Sequence, residues 1–137
     1  MIQSYSQNVT VPAQTAIPFT ANFTKGCTVQ QTSDTTFQFN KKGLYLVQFD
    51  AVVSQSTTAG NVLAQLFVNG VAQLRGVTST AVSSATDASA MSFTAYVQVP
   101  NDNTCDCSVA PTTMQIKTNG TIGALFEQAN VVITKLC

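Results

Sequence analysis

Four cysteines, Cys27, Cys105, Cys107 and Cys137, are the residues of this chain best suited to chemistry, and their spacing limits what that chemistry can be. In an extended strand Cys105 and Cys107 share one face with Cα atoms about 6.5–7 Å apart and side chains pointing in parallel, so no disulfide between these two is expected. Cys-x-Cys is not the C-x₂₋₄-C clasp of a structural zinc site, and the other two thiols are remote in sequence, so no metal is expected. Synthesis in a cytoplasm favours reduced thiols, with later oxidation open to a protein that ends on an extracellular particle. Acid–base chemistry has little to use. Histidine is absent, which removes the side chain best suited to proton transfer near neutral pH. The six carboxylates, Asp34, Asp50, Asp87, Asp102, Asp106 and Glu127, form no acid/base signature, and no Ser or Thr sits in a nucleophile motif. The expectation is a protein that is not an enzyme and has no cofactor. Asp50 reads as a solvated or interface polar position. Three Asn-x-Thr sites, at Asn8, Asn22 and Asn119, match the glycosylation sequon, arise easily in a chain rich in Asn and Thr, and are expected to be unmodified.

Composition narrows the class of partner. With 137 residues the expectation is one domain spanning 1–137, large enough to bury roughly two-thirds of its unfolded surface. Six basic and six acidic residues cancel, leaving no electrostatic footprint for nucleic acid or an anionic membrane. Charged residues make up 9% of the chain, against a usual level of about 25%. Such a surface lacks the self-repulsion that keeps monomers apart, which favours association. No secretory h-region or transmembrane run occurs, so the chain is expected to be a whole small protein made in cytoplasm that reaches the outside, if it does, on a particle.

The elements that would carry any site are strands. Helical periodicity is absent, while β-branched and aromatic residues alternate with polar ones between Gly, Pro, Asn and Asp. Strands are predicted at about 7–11, 14–20, 27–31, 35–39, 44–54, 61–68, 71–77, 90–99, 105–109, 113–117, 121–126 and 129–136. The spacing suits a two-sheet antiparallel sandwich. Asn69-Gly70 between two apolar runs is the strongest hairpin signal, Asn119-Gly120 repeats the device, and "VPNDNTC" reads as a turn. Residues 78–90 read as a surface loop. In the long strand Tyr45, Val47, Phe49 and Ala51 form one apolar face, and a hairpin partner is expected to follow it. Val62 and Leu66 continue that core on the next strand, as do Phe93 and Val97 on the strand near residue 95. The opposite faces carry Leu44, Leu46, Leu63, Phe67 and Tyr96, the candidates for contact between subunits. The N-terminal strands, 1–20, could take part in that contact. Scattered apolar surface residues are also normal on monomers.

On these residues the chain resembles a known family. "FNKKGLYLVQFDAVVSQSTTAGNVLAQLFVNG" looks like the central signature of the tumour-necrosis-factor and complement-globular-head jelly rolls, with Gly43, Tyr45, Phe49, Asn69 and Gly70 as its specific points. The closing "ANVVITKL" is similar to the last strand of the family's bacterial and phage branch. The segment "PNDNTCDC" departs from the Gly-Asp often found before a strand there. The resemblance covers about half the chain, residues 35–70 and 121–136. It implies a ten-stranded jelly roll that assembles as a tight homotrimer, with one sheet of each subunit facing the threefold axis. The function it suggests is structural: a trimeric decoration or fibre head on a bacteriophage virion surface, contacting other virion or surface-layer proteins and binding a host-surface glycan weakly. The alternatives are a spore-surface protein and an extracellular ligand or adhesin.

Overall fold

The computed structural model describes residues 1–83, 86–100, 102 and 111–137. In these residues ten strands form two five-stranded antiparallel sheets, with no helix. The strands are β1 (Ile2–Val11), β2 (Ala21–Thr24), β3 (Val29–Gln31), β4 (Phe37–Phe39), β5 (Gly43–Ser54), β6 (Gly60–Val68), β7 (Val71–Val82), β8 (Ser89–Val99), β9 (Thr112–Thr118) and β10 (Ala124–Lys135). One sheet runs β2-β1-β10-β5-β8 and the other β3-β4-β9-β6-β7. We call them the β5 sheet and the β6 sheet. Their inner faces pack together as a jelly-roll sandwich.

Alternation builds the core. Tyr45, Val47, Phe49, Ala51 and Val53 on β5, and Met91, Phe93, Ala95, Val97 and Val99 on β8, all point inward and are buried. Val62, Ala64 and Leu66 meet them from β6. Aromatic pairs fill the ends and the middle. Phe39 and Tyr45 pack edge-on at 4.6 Å, Phe19 and Phe37 at 5.8 Å, and Phe49 lies 5.2 Å from Phe93. A buried tyrosine hydroxyl needs a partner. Tyr45 donates to the carbonyl of Lys41 at 2.6 Å. Burial pushes its pKa up, and the negative charge of Asp102 adds to the rise.

Asn69 and Gly70 both have positive φ, 50° and 79°, and close the β6–β7 hairpin as the sequence requires. The second Asn-Gly does something else. Asn119 donates its backbone N–H to Leu63 O at 2.9 Å while the chain crosses from β9 in one sheet to β10 in the other, so this segment is no hairpin. The long strand likewise has no hairpin partner in β6, which lies in the opposite sheet. The neighbours of β5 are β10 and β8.

Several strand limits differ from the sequence reading. β1 starts at Ile2, and the residues 14–20 read as strand form no ladder, pairing only as an isolated bridge between Ala16 and Lys117. Ile17 and Phe19 in that stretch are buried as core plugs, which accounts for their apolar character without a ladder. The segments 121–126 and 129–136 form one strand, β10, broken in pattern by a bulge at Glu127. β7 continues to Val82 and β8 begins at Ser89, so the connecting loop is shorter than 78–90. The predicted strand 105–109 and most of the "VPNDNTC" turn lie outside the described residues.

Candidate interaction surfaces

Cross-strand register sets out the outer face of the β5 sheet as rows. Leu46 lies between Tyr96 on β8 and Thr134 on β10. In the next row Thr94, Gln48, Val132, Gln3 and Phe23 follow one another across all five strands. The row after that reads Ser92, Asp50, Asn130, Tyr5 and Ala21. Side chains link its centre: Gln3 Nε2 donates to Asn130 Oδ1 and Asn130 Nδ2 donates to Asp50 Oδ1, each at 3.0 Å. Asp50 is therefore the end of a polar line across three strands, and no acid or base faces it there. Aromatic residues flank this line. Tyr5 and Phe23 stand exposed at the β1/β2 side and Tyr96, 66% exposed, stands at the β8 side.

The five residues singled out for subunit contact do not share a surface. Leu44, Leu46 and Tyr96 lie on the outer face of the β5 sheet, whereas Leu63 and Phe67 lie on the outer face of the β6 sheet, on the far side of the sandwich. The latter two are also covered from within. Lys117 Nζ sits 4.9 Å above the Phe67 ring, a cation–π contact. The 119–120 crossing lies against Leu63. Gln65, whose alternation puts it outside, is buried instead; it donates to Gln73 O at 3.0 Å and accepts from Asn119 Nδ2 at 2.7 Å.

The structure exposes apolar residues that alternation did not reveal. β7 is an edge strand, and its ladder with β6 shifts between Gln65 and Phe67, leaving Gln73 to Gly76 outside the regular pairing. This bulge lifts Leu74 into solvent at 89% exposure, with Val71 and Val77 also exposed along the strand. Bulges re-aim side chains in this way and also protect an edge from uncontrolled pairing. Tyr5 and Phe23 were missed because β2 and the first half of β1 were not recognised as strands.

Chemically reactive groups are dispersed. Among the described residues no three His, Cys, Asp or Glu side chains gather as metal ligands. Cys27 and Cys137 are free, exposed thiols, while Cys105 and Cys107 lie outside the described residues. Asp102 takes a structural role: Lys42 donates its backbone N–H to Asp102 Oδ1 at 2.8 Å. That bond holds the carboxyl below its ordinary pKa, partial desolvation opposes it, and the charges of Lys41, Lys42 and Lys135 assist it. Among the described residues no helix is long and apolar enough to cross a membrane.

The fold defines the class: an all-β jelly roll of the kind found in tumour-necrosis-factor ligands and complement globular heads. No protein-family description matches the sequence, and no curated protein matches it. Solved structures do. The globular domain of zebrafish complement 1qA protein superposes with a TM-score of 0.72 at 11% identity, over 99% of this chain and 96% of that one. Murine APRIL gives 0.68 at 8% identity over 98% of both chains. The vertex protein P5 of phage PRD1 gives 0.58 at 18% identity, over 99% of this chain and 96% of that one. These likenesses establish the fold.

Proposed function

We propose that the protein is a non-enzymatic, homotrimeric surface head of a bacteriophage virion, set with its first and last residues toward the shell and its far loops outward. One observation carries the assembly: apart from Met1 and Leu136 at the chain ends, the large exposed apolar residues stand toward two opposite sides of the sandwich. Tyr5 and Phe23 stand on the outer face of the β5 sheet at its β1/β2 side, turned away from the space between the sheets, and on the opposite side Tyr96 on β8 is followed by Val71, Leu74 and Val77 on the neighbouring edge strand β7. A two-fold dimer uses one self-complementary patch, whereas a closed ring needs two unlike patches that meet head to tail. The second patch of one copy meeting the first patch of the next satisfies that requirement. Three copies is the number that the family resemblance implies.

Connectivity supports this orientation. Met1 and Lys25 exchange backbone hydrogen bonds, and Leu136 pairs with Leu44, so both chain ends lie at one end of the sandwich. Ser54, Gly60, Val82 and Ser89, where β5 and β7 end and β6 and β8 begin, lie at the other. Similarity to the PRD1 vertex protein supports a virion setting. The dispersed carboxylates and the absence of histidine support a role without catalysis. A ligand-like extracellular head is the second reading, favoured by the likeness to murine APRIL. A spore-surface protein is a further alternative. Immunogold labelling of purified particles from the producing strain tests the proposal: label on virions is expected, and protein confined to the soluble cytosol overturns it.

A further inference from the structure

The β2 and β3 strands end their sheets on the same side of the sandwich, and between them the two layers part to leave a concavity of about 300 Å³. Its walls carry amide and hydroxyl side chains: Asn22, Thr24, Gln30, Gln31 and Asn40. No charged side chain lines it. We propose that this groove is a binding site for a neutral saccharide, a proposal that rests on the exposed-head reading above for the setting in which such a ligand would be met.

The groove is built before any ligand arrives. Gln31 is fixed by four hydrogen bonds: Oε1 accepts from Ser4 Oγ at 2.8 Å and from Asn22 Nδ2 at 3.2 Å, and Nε2 donates to Phe19 O at 2.6 Å and Asp34 O at 3.3 Å. Asn40 donates to Cys27 O at 3.0 Å and accepts from Gln38 at 3.0 Å. With these two held, a ligand need not pay to order the floor, which is the main advantage of a preorganised site. Unused capacity remains on the walls. Asn22 Oδ1, the Thr24 hydroxyl and both ends of the Gln30 amide make no hydrogen bond among the described residues, and they face solvent rather than a buried void.

The chemistry of the lining selects the ligand. An amide offers a donor and an acceptor side by side, and a sugar hydroxyl is both donor and acceptor, so vicinal hydroxyls pair with amides without any charge. An anion would find no cation here, and an apolar ligand would leave these groups unpaired at a cost. An added peptide strand is disfavoured because β2 and β3 have only four and three residues, too short an edge for a ladder. The volume lies at the lower limit of the ~300–1,000 Å³ usual for small-ligand sites, which suits a single sugar ring or a chain end. Weak binding per copy is expected, and repetition of the head on one particle would raise avidity without new contacts.

The test is an NMR titration of the intact protein with glucose, galactose, mannose and N-acetylglucosamine. At least one sugar should shift the side-chain amide signals of Asn22 and Gln30 saturably, and Thr24→Val and Gln30→Leu, both at exposed positions, should each weaken that binding about fivefold with the fold intact. No saturable shift with any of the four sugars overturns the site, and so does binding that both substitutions leave unchanged or saturable binding of a short polar peptide instead. The outcome separates from that of the assembly proposal: a trimer found on virions that binds no sugar loses only the groove, and a sugar-binding monomer absent from virions loses only the assembly.

Discussion

Three buried serines show how single hydroxyls differ in consequence. Ser4, Ser6 and Ser54 are all buried, but Ser4 donates to Gln31 at 2.8 Å, while the hydroxyls of Ser6 and Ser54 have no partner among the described residues. A buried polar group without a partner loses its hydration with no return, whereas a paired one contributes about 1 kcal/mol. Ser6→Ala should therefore leave stability unchanged or raise it by up to ~1 kcal/mol, and Ser4→Ala should lower it by about 1 kcal/mol, both read as shifts in the urea midpoint. A loss on Ser6→Ala larger than on Ser4→Ala would contradict this. Asp102 gives a pH prediction. Its carboxyl is held below the ordinary value by the Lys42 N–H and nearby lysines, so the folded state binds its proton less readily than the unfolded state. The stability it contributes is present above the unfolded pKa and is lost as the pH falls through the lower folded value. Asp102→Asn should flatten the acid limb of a stability–pH curve and lower the neutral-to-alkaline plateau by a near-constant amount. Salt should shrink the difference, because the group is exposed.

At the scale of elements, the entry to β5 is the place where backbone conformation decides most. Gly43 has φ +140°, a conformation that L residues rarely adopt, and a Cβ there would run into the carbonyl of Cys137 and lie 2.8 Å from Lys135 Cε. Gly43→Ala should cost about 2–4 kcal/mol, seen as a lower thermal midpoint, by combining backbone strain with the displacement of the Leu44–Cys137 pairing. An unchanged midpoint would show that the last two residues give way freely. The signature glycine was thus legible in the sequence, but its reason, a close approach of the chain's last residues, was not. β10 shows the opposite case. Its alternation breaks between Ala129 and Phe126 because Glu127 is an extra residue relative to β5, and Asn8, with φ 54°, marks the same level on β1. Both strands step together, so their mutual register is kept. A local reading sees two short strands there, since a period of two cannot distinguish a bulge from a turn.

The whole molecule adds the assembly prediction. Light scattering at micromolar concentration should give about three chain masses, since a closed ring with unlike patches leaves no free patch at its final size. Leu74→Asp at one patch and Phe23→Asp at the other should each shift the protein toward monomer while circular dichroism stays unchanged, because both side chains are largely exposed in the single chain, at 89% and 59%. Leu46→Asp should act more weakly on assembly, since Leu46 is half-buried beside Tyr96 within its own sheet. A monomeric wild type would remove the ring. Much of the molecule is determined by the sequence alone: an all-β sandwich, the inward face of β5 and the Asn69-Gly70 hairpin all follow from period-two patterning and turn chemistry, which are local. Which outward residues lie together was decided only by the tertiary structure. Leu46 and Phe67 look alike along the chain, yet they stand on opposite sides of the sandwich, and Asn22 and Gln31 converge although their strands belong to opposite sheets. The physical reason is that strand pairing in a jelly roll is non-local: each crossing between sheets assigns a face and a neighbour that no short window of residues contains.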